Sequence, residues 1–159
     1  MARASEGILP VRAITSSEIA AAEDMFNGNI SSDVIDMGQY SECMLVITTL
    51  AGATGTATVT AVSCDDTTPT TATAVAFRYR RISGATPGTW TAAAAAGFTT
   101  TAGANDIYQC MVEANGLSGT DQFVRWVMTE SANDPVDGAA QIYLLNGRYE
   151  GDFGLDTTS

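Results

Sequence analysis

From about residue 31 onward, apolar and polar side chains alternate along the chain with a period of two, which is typical of β-strands. Clusters of Gly, Pro, Asn and Asp interrupt this alternation at near-regular intervals and predict turns. The pattern predicts seven strands, at residues 34–37, 42–50, 56–64, 73–82, 107–114, 122–130 and 139–145. Short strands at this spacing favour an all-β fold: an antiparallel β-sandwich or jelly-roll-like barrel of about seven to eight strands.

Two of the predicted strands differ in the polarity of their faces. The segment 42–50 is apolar on both sides, with Cys43, Leu45 and Ile47 on one face and Met44, Val46 and Leu50 on the other. This pattern predicts a central strand that is covered on both faces. The segment 56–64 instead alternates Thr with Ala and Val, which predicts a strand with one face in solvent.

The segment 73–82 contains the densest basic cluster, Phe77-Arg78-Tyr79-Arg80-Arg81. Alternation places Arg78 and Arg80 together on the face opposite Phe77 and Tyr79. We predict that this face contacts an acidic surface of a neighbouring subunit, because Arg is suited to interfacial ion pairs. The alternative is a solvated strand face that opposes the excess acids of the chain itself. The alanine run at 92–96 has Gly and Thr around it and predicts a loop or an irregular strand.

The two ends of the chain differ from the middle. We divide the chain into an N-terminal arm with a short helix (1–30), a β-sandwich domain (31–147) and a C-terminal tail (148–159). In the arm, Thr15 and Glu18 fit a capping box for a helix over 16–27. Apolar residues of both ends are candidate partner contacts: Ile8, Leu9, Val11, Ile14, Tyr149 and Phe153. The arm either docks on a neighbour or packs as a strand on its own domain.

Composition argues against catalysis. The chain contains no His and no Lys, so its seven basic residues are all Arg. Ser-His-Asp and Ser-Lys nucleophile systems therefore cannot be built, and no pair of carboxylates is singled out by its spacing. We expect no enzyme activity, no catalytic residues, no cofactor and no metal. The acidic turns at Asp65-Asp66 and 133–137 supply oxygens but match no complete calcium loop.

Net charge, the N-terminal sequence and cysteine content limit which partners and which cellular compartment we expect. The formal net charge of −11 repels phosphates and argues against nucleic-acid binding. The N-terminus has no signal-peptide core and no segment is apolar enough to span a membrane, so we expect synthesis in the cytoplasm. Cys43, Cys64 and Cys110 each lie within a strand-like run, which predicts buried thiols rather than disulfides.

Four segments together resemble head decoration, or cement, proteins of tailed bacteriophages. They are Met44–Val62, Phe77–Arg81, Trp90–Ala104 and Gln141–Tyr149, and the resemblance covers roughly residues 34–150. It implies a structural virion protein, made in the host cytoplasm, that binds the capsid exterior and stabilises the major capsid protein lattice. It also implies self-association, as a homotrimer. The alternatives are a phage tail or head-fibre module and a carbohydrate-binding β-sandwich that uses Trp90.

Overall fold

The computed structural model describes residues 8–12, 24–50, 54–67, 71–103, 105–132 and 135–147. In these ranges the chain forms thirteen strands and a single 3-10 turn at Ala114–Gly116. The strands are β1 (Ile8–Arg12), β2 (Asn29–Ser31), β3 (Ile35–Asp36), β4 (Tyr40–Thr49), β5 (Thr56–Cys64), β6 (Thr73–Val75), β7 (Phe77–Ser83), β8 (Thr86–Pro87), β9 (Thr91–Ala93), β10 (Phe98–Thr99), β11 (Asp106–Glu113), β12 (Phe123–Ala132) and β13 (Gly138–Gly147).

Two antiparallel sheets pack face to face and confirm the predicted sandwich. The seven-stranded sheet has the order β1-β13-β4-β11-β7-β8, with β9 also paired to β7. The six-stranded sheet has the order β10-β5-β12-β2, with β3 paired to β12 and β6 paired to β5. Non-consecutive strands are neighbours in both sheets, so the sandwich is closed by long-range pairing rather than by simple hairpins.

The core lies between the two sheets and follows the predicted alternation. In β4 the side chains of Cys43, Leu45 and Ile47 are buried, and in β12 those of Val124, Trp126 and Met128 are buried. The ring of Phe77 meets the ring of Trp126 edge-on at a centroid distance of 5.2 Å, which joins the two sheets across the core.

The strand count is higher than predicted because short strands extend the edges of the long ones. Five of the six additional elements contain only two or three residues, too few to show a period. The segment 73–82, which alternation predicts as one strand, is divided at Ala76: β6 belongs to the six-stranded sheet and β7 to the seven-stranded sheet. Val75 and Phe77 are both buried, since both sheets face the same core, so the alternation passes through the division unchanged.

The predicted N-terminal helix and the alanine run can both be compared with the structure, the helix only in part. Residues 16–23 of the predicted helix lie outside the described residues, and the following residues 24–28 form a turn. The alanine run contributes Ala92 and Ala93 to β9 and then turns, as predicted. Gly97 ends that turn with a φ of +78°, and a Cβ there would lie 2.0 Å from the Val59 carbonyl oxygen. Only glycine fits this position.

Candidate functional site: an apolar sheet face and a polar cleft

On the outer face of the seven-stranded sheet, polar side chains such as Gln109, Gln141 and Thr48 interrupt a group of partly exposed apolar side chains. Strand register places them side by side: Ile82 lies opposite Ile107, Met111 opposite Met44, and Met44 opposite Tyr143. We call this surface the outer apolar face, and its apolar members are Met44, Val46, Ile82, Ile107, Met111, Tyr143 and Leu145. With about 4.8 Å between strands and about 6.6 Å between side chains on one face, four strands and four rows span roughly 300 Å² between their outermost side chains, polar positions included.

The prediction that both faces of the segment 42–50 are covered is wrong. The apolar character of Met44, Val46 and Leu50 predicts a second covering layer over β4, but Met44 and Val46 are partly exposed and Leu50 is 51% exposed. No described segment forms a layer over them. The strand is central within its sheet, between β13 and β11, as predicted, but only one of its faces is in the core.

Arg78 and Arg80 share the outer apolar face, and each has a partner within the chain. Arg78 Nη2 lies 2.5 Å from Glu113 Oε1 in an exposed ion pair. The Arg80 Nε donates a hydrogen bond of 2.6 Å to Gln109 Oε1, and its guanidinium lies 4.7 Å from the centroid of the Trp90 ring. These contacts fit the alternative in which the strand face is balanced by the chain's own groups, and they leave both guanidinium groups at the surface.

The other predicted contact residues divide into two groups. Ile8, Leu9 and Val11 belong to β1, which pairs with β13 of the same chain in the register Ile8↔Leu145. Residues 8–12 thus form an edge strand of their own domain. Ile14, Tyr149 and Phe153 lie outside the described residues, so their contacts stay predictions.

The outer face of the six-stranded sheet is polar by comparison. The Thr58 hydroxyl lies 2.8 Å from the Ser131 hydroxyl and 3.2 Å from the Thr99 hydroxyl. On the neighbouring strand, the Thr129 hydroxyl donates a hydrogen bond of 2.7 Å to Asn29 Oδ1. These cross-strand bonds satisfy the hydroxyls at a wet surface, as predicted from the Thr alternation of β5.

A polar cleft of about 310 Å³ opens where β7 of one sheet meets β10 of the other. Aromatic rings and hydroxyls share its lining with two guanidinium groups: Tyr79, Arg80, Arg81, Gly88, Thr89, Thr91, Phe98, Thr99, Thr101 and Tyr108. The rings of Tyr79 and Phe98 stack at a centroid distance of 3.9 Å. Sequence reasoning did not find this cleft, because its residues come from four strands and two loops.

A buried carboxylate anchors the polar side of the cleft. Asp106 has no exposed surface, and its Oδ2 accepts a hydrogen bond of 2.5 Å from Arg81 Nε and one of 3.3 Å from the Tyr108 hydroxyl. The Tyr108 hydroxyl in turn accepts a hydrogen bond of 2.8 Å from the Thr101 amide. The Asp106 Oδ1 is buried without a hydrogen-bond partner. Burial of a carboxylate is costly without pairing. Asp106 is therefore stabilised by Arg81 and Tyr108, and its hydrogen bonds hold both side chains in fixed positions.

The three cysteines are free thiols inside the fold. Burial raises the pKa of Cys43 to about 12, although a hydrogen bond from the Trp126 indole opposes the shift. Burial also raises the pKa of Cys110 and of Cys64. Such thiols remain protonated at neutral pH and act as small apolar side chains.

The described residues contain neither a cluster of ion ligands nor a membrane-spanning helix. Within the described ranges, no three His, Cys, Asp or Glu side chains come together as ligands for an ion. Asp65 and Asp66 are exposed in a bend, and Asn133 and Asp134 lie outside those ranges. No helix long and apolar enough to cross a bilayer occurs in the part of the chain that the structure describes.

Comparisons with protein-family models, curated proteins and solved structures find no match. Functional inference therefore depends on the geometry of this chain: a sandwich whose described residues form an apolar outer face, a hydroxyl-rich outer face, and a polar cleft between β7 and β10.

Proposed function

We propose that this protein is a structural virion protein that attaches through its outer apolar face to the outside of a bacteriophage capsid and stabilises the major capsid protein lattice. The observation that carries the proposal is the adjacency of Met44, Met111 and Tyr143 on a sheet face that no described segment covers. The largest apolar patch on a monomer, typically about 300–600 Å², is often functional. The resemblance of four segments to decoration proteins supplies the identity of the partner.

The size of the face supports attachment in many copies. A stable protein interface buries about 800 Å² on each partner, whereas the outer apolar face offers roughly 300 Å². A single copy would therefore bind weakly. A homotrimer that presents three such faces to a repeating lattice gains affinity through effective concentration, without any new contact.

Charge favours the same arrangement. The net charge of −11 keeps a protein that is needed at high copy number soluble and repels the packaged nucleic acid. Arg78 and Arg80 lie beside the outer apolar face, where they add cationic groups at its edge. A partner surface that is apolar at its centre and acidic beside it would complement this face.

The first test is the copy number of the chain in purified particles of the phage that encodes it, measured by quantitative mass spectrometry against the major capsid protein. The proposal expects a copy number comparable with that of the capsid subunits. A few copies per particle would assign the chain to the tail or to a head fibre instead, and absence from particles would overturn a virion role.

The second test compares a charge on each outer face. Val46→Glu places a carboxylate within the outer apolar face, and Val127→Glu places one at a partly exposed position of the six-stranded sheet, opposite Thr60 and Ser31. We expect Val46→Glu to weaken binding to capsids that lack the protein by at least about tenfold, which is 1.4 kcal/mol, and Val127→Glu to leave binding intact. Equal binding by both variants would exclude the outer apolar face as the attachment surface.

A further inference from the structure

The cleft between β7 and β10 has the size of a small-molecule site and is partly open to solvent. Its volume of about 310 Å³ lies at the lower end of ligand pockets, roughly 300–1,000 Å³, and suits a single ring rather than an extended polymer. It lies at the mouth of the core, where residues of both sheets meet. Arg80 belongs to both the cleft lining and the outer apolar face, but the other residues of the cleft lie outside that face, so variants at Arg81 or Thr91 test the cleft independently.

Arg81 is the group in the cleft that is prepared for a ligand. Its Nε is used by Asp106 Oδ2, while its two terminal nitrogens have no hydrogen bond to a described residue and its side chain is 39% exposed. Because Asp106 is fully buried, it fixes the guanidinium in position before any ligand arrives. A guanidinium held at Nε presents its remaining donors as a planar fork, which matches a carboxylate.

The rest of the lining indicates what accompanies that carboxylate. Four threonines line the cleft, Thr89, Thr91, Thr99 and Thr101. The Thr99 hydroxyl is bonded to Thr58, and a threonine hydroxyl can both donate and accept. The stacked rings of Tyr79 and Phe98 supply an apolar wall. A carboxylate, several hydroxyls and an apolar ring face occur together in an acidic sugar.

We propose that the cleft binds a pyranose that carries a carboxylate, of the uronic acid class, with its carboxylate on the Arg81 terminal nitrogens and its hydroxyls on the threonine side chains. Arg80 strengthens the site as a second cation on the lining, and it is held by Gln109 and by the Trp90 ring. Trp90 thus acts through Arg80 and does not itself line the cleft.

The test is a titration of the full-length, isotope-labelled protein by two-dimensional amide NMR with three probes: glucuronate, glucose and acetate. We expect glucuronate to shift the amide of Thr101 and other cleft residues and to bind at least about tenfold more tightly than either glucose or acetate, since only glucuronate supplies both the charge-assisted bonds and the hydroxyl contacts. If glucose binds as tightly as glucuronate, Arg81 does not recognise the carboxylate. If acetate binds as tightly as glucuronate, the cleft does not recognise the sugar ring. The absence of a saturable shift at the cleft would overturn the proposal.

Variants locate the binding to the cleft. Arg81→Lys keeps a cation beside Asp106 but loses the fork, and we expect it to abolish the preference for glucuronate over glucose. Arg78→Lys, on the outer face of the same strand, is the matched control and should bind as the wild type does. If Arg81→Lys fails to fold, Thr91→Val tests the same site without touching Asp106 and should weaken glucuronate severalfold. Unchanged glucuronate binding by folded Arg81→Lys or by Thr91→Val would contradict the proposal.

Discussion

The two outer faces of the sandwich differ although the inner faces of both sheets obey one rule. On the six-stranded sheet, Thr58 and Thr129 bond to hydroxyl or amide groups of neighbouring strands and meet water with their polar groups satisfied. On the seven-stranded sheet, Met44 and Met111 lie side by side with no such bonds to offer. Hydroxyl pairing stabilises a sheet at no cost in solubility, whereas an apolar row gains free energy only when another surface covers it. The comparison supports the proposal that the polar face needs no further contact, whereas the apolar face is covered by a partner.

The core beneath both faces sets the largest effect. Trp126 is buried, packs edge-on against Phe77 and donates a hydrogen bond to the Cys43 sulfur. We expect Trp126→Ala to lower the free energy of unfolding by about 3–5 kcal/mol, because it leaves a large cavity between the sheets. Urea unfolding measures it. If the two faces depend on one core, capsid binding and the Thr101 amide signal should be lost over the same urea range; separate transitions would show that the sheets unfold independently.

We expect alkaline pH to lower the stability of the whole sandwich through two buried thiols of the seven-stranded sheet. Cys43 and Cys110 lie in the seven-stranded sheet, and burial holds the pKa of both above the ordinary thiol value of 9.0. The folded protein keeps these protons while the unfolded chain releases them, so this stability is complete below pH 9 and is lost as pH rises toward the folded pKa. For two thiols the loss between pH 9 and pH 10 is roughly 2 kcal/mol.

Urea midpoints measured at pH 8, 9 and 10 check this dependence. The variant Cys43→Ala with Cys110→Ala serves as the control, since it should start from a lower stability but decline less between pH 9 and pH 10. Parallel declines for the variant and the wild type would show that the buried thiols do not cause the alkaline loss.

Exchange of side-chain character between the faces sharpens the comparison further. Replacement of Met44, Val46 and Met111 by Thr gives the outer apolar face the chemistry of its counterpart. We expect capsid binding to fall by about tenfold or more, while the free energy of unfolding changes by only about 1 kcal/mol, because these side chains are partly exposed in the monomer. Thermal melting and capsid sedimentation measure the two effects separately. A large loss of stability with binding retained would mean that these residues serve the fold rather than attachment.

The smallest effect concerns the exposed ion pair between Arg78 and Glu113. Arg78→Glu should cost at most about 1 kcal/mol of stability, since exposed pairs contribute little, and the exchanged variant Arg78→Glu with Glu113→Arg should recover it. We expect both variants to bind capsids less well than the wild type does, because both alter the position of the cation on the outer apolar face. Wild-type binding by both would support the alternative, in which this strand face is only solvated.

The alternation of apolar and polar residues predicted long strands better than short ones. The long strands β4, β5, β11, β12 and β13 match the predicted segments to within two residues at each end, because alternation over a long segment reports a sheet face directly. Apart from β3, which lies within the predicted segment 34–37, the short strands could not be predicted, since two or three residues contain no period. The division of 73–82 between the sheets was also invisible, because both halves point apolar side chains at the same core.

The sequence by itself determined the all-β class, the inward side chains and the burial of the three thiols, since each depends on which residues alternate or repel water. Only the tertiary structure shows that Met44 and Val46 of β4 are partly exposed, with no described segment packed over them. A local sequence pattern gives the polarity of a strand face but not what packs against it. The tertiary structure alone also brought Arg81, Asp106 and Tyr108 together with threonines of distant loops. Their meeting depends on the register between β7 and β11 and on the approach of the two sheets, and neither is encoded by any single segment of the chain.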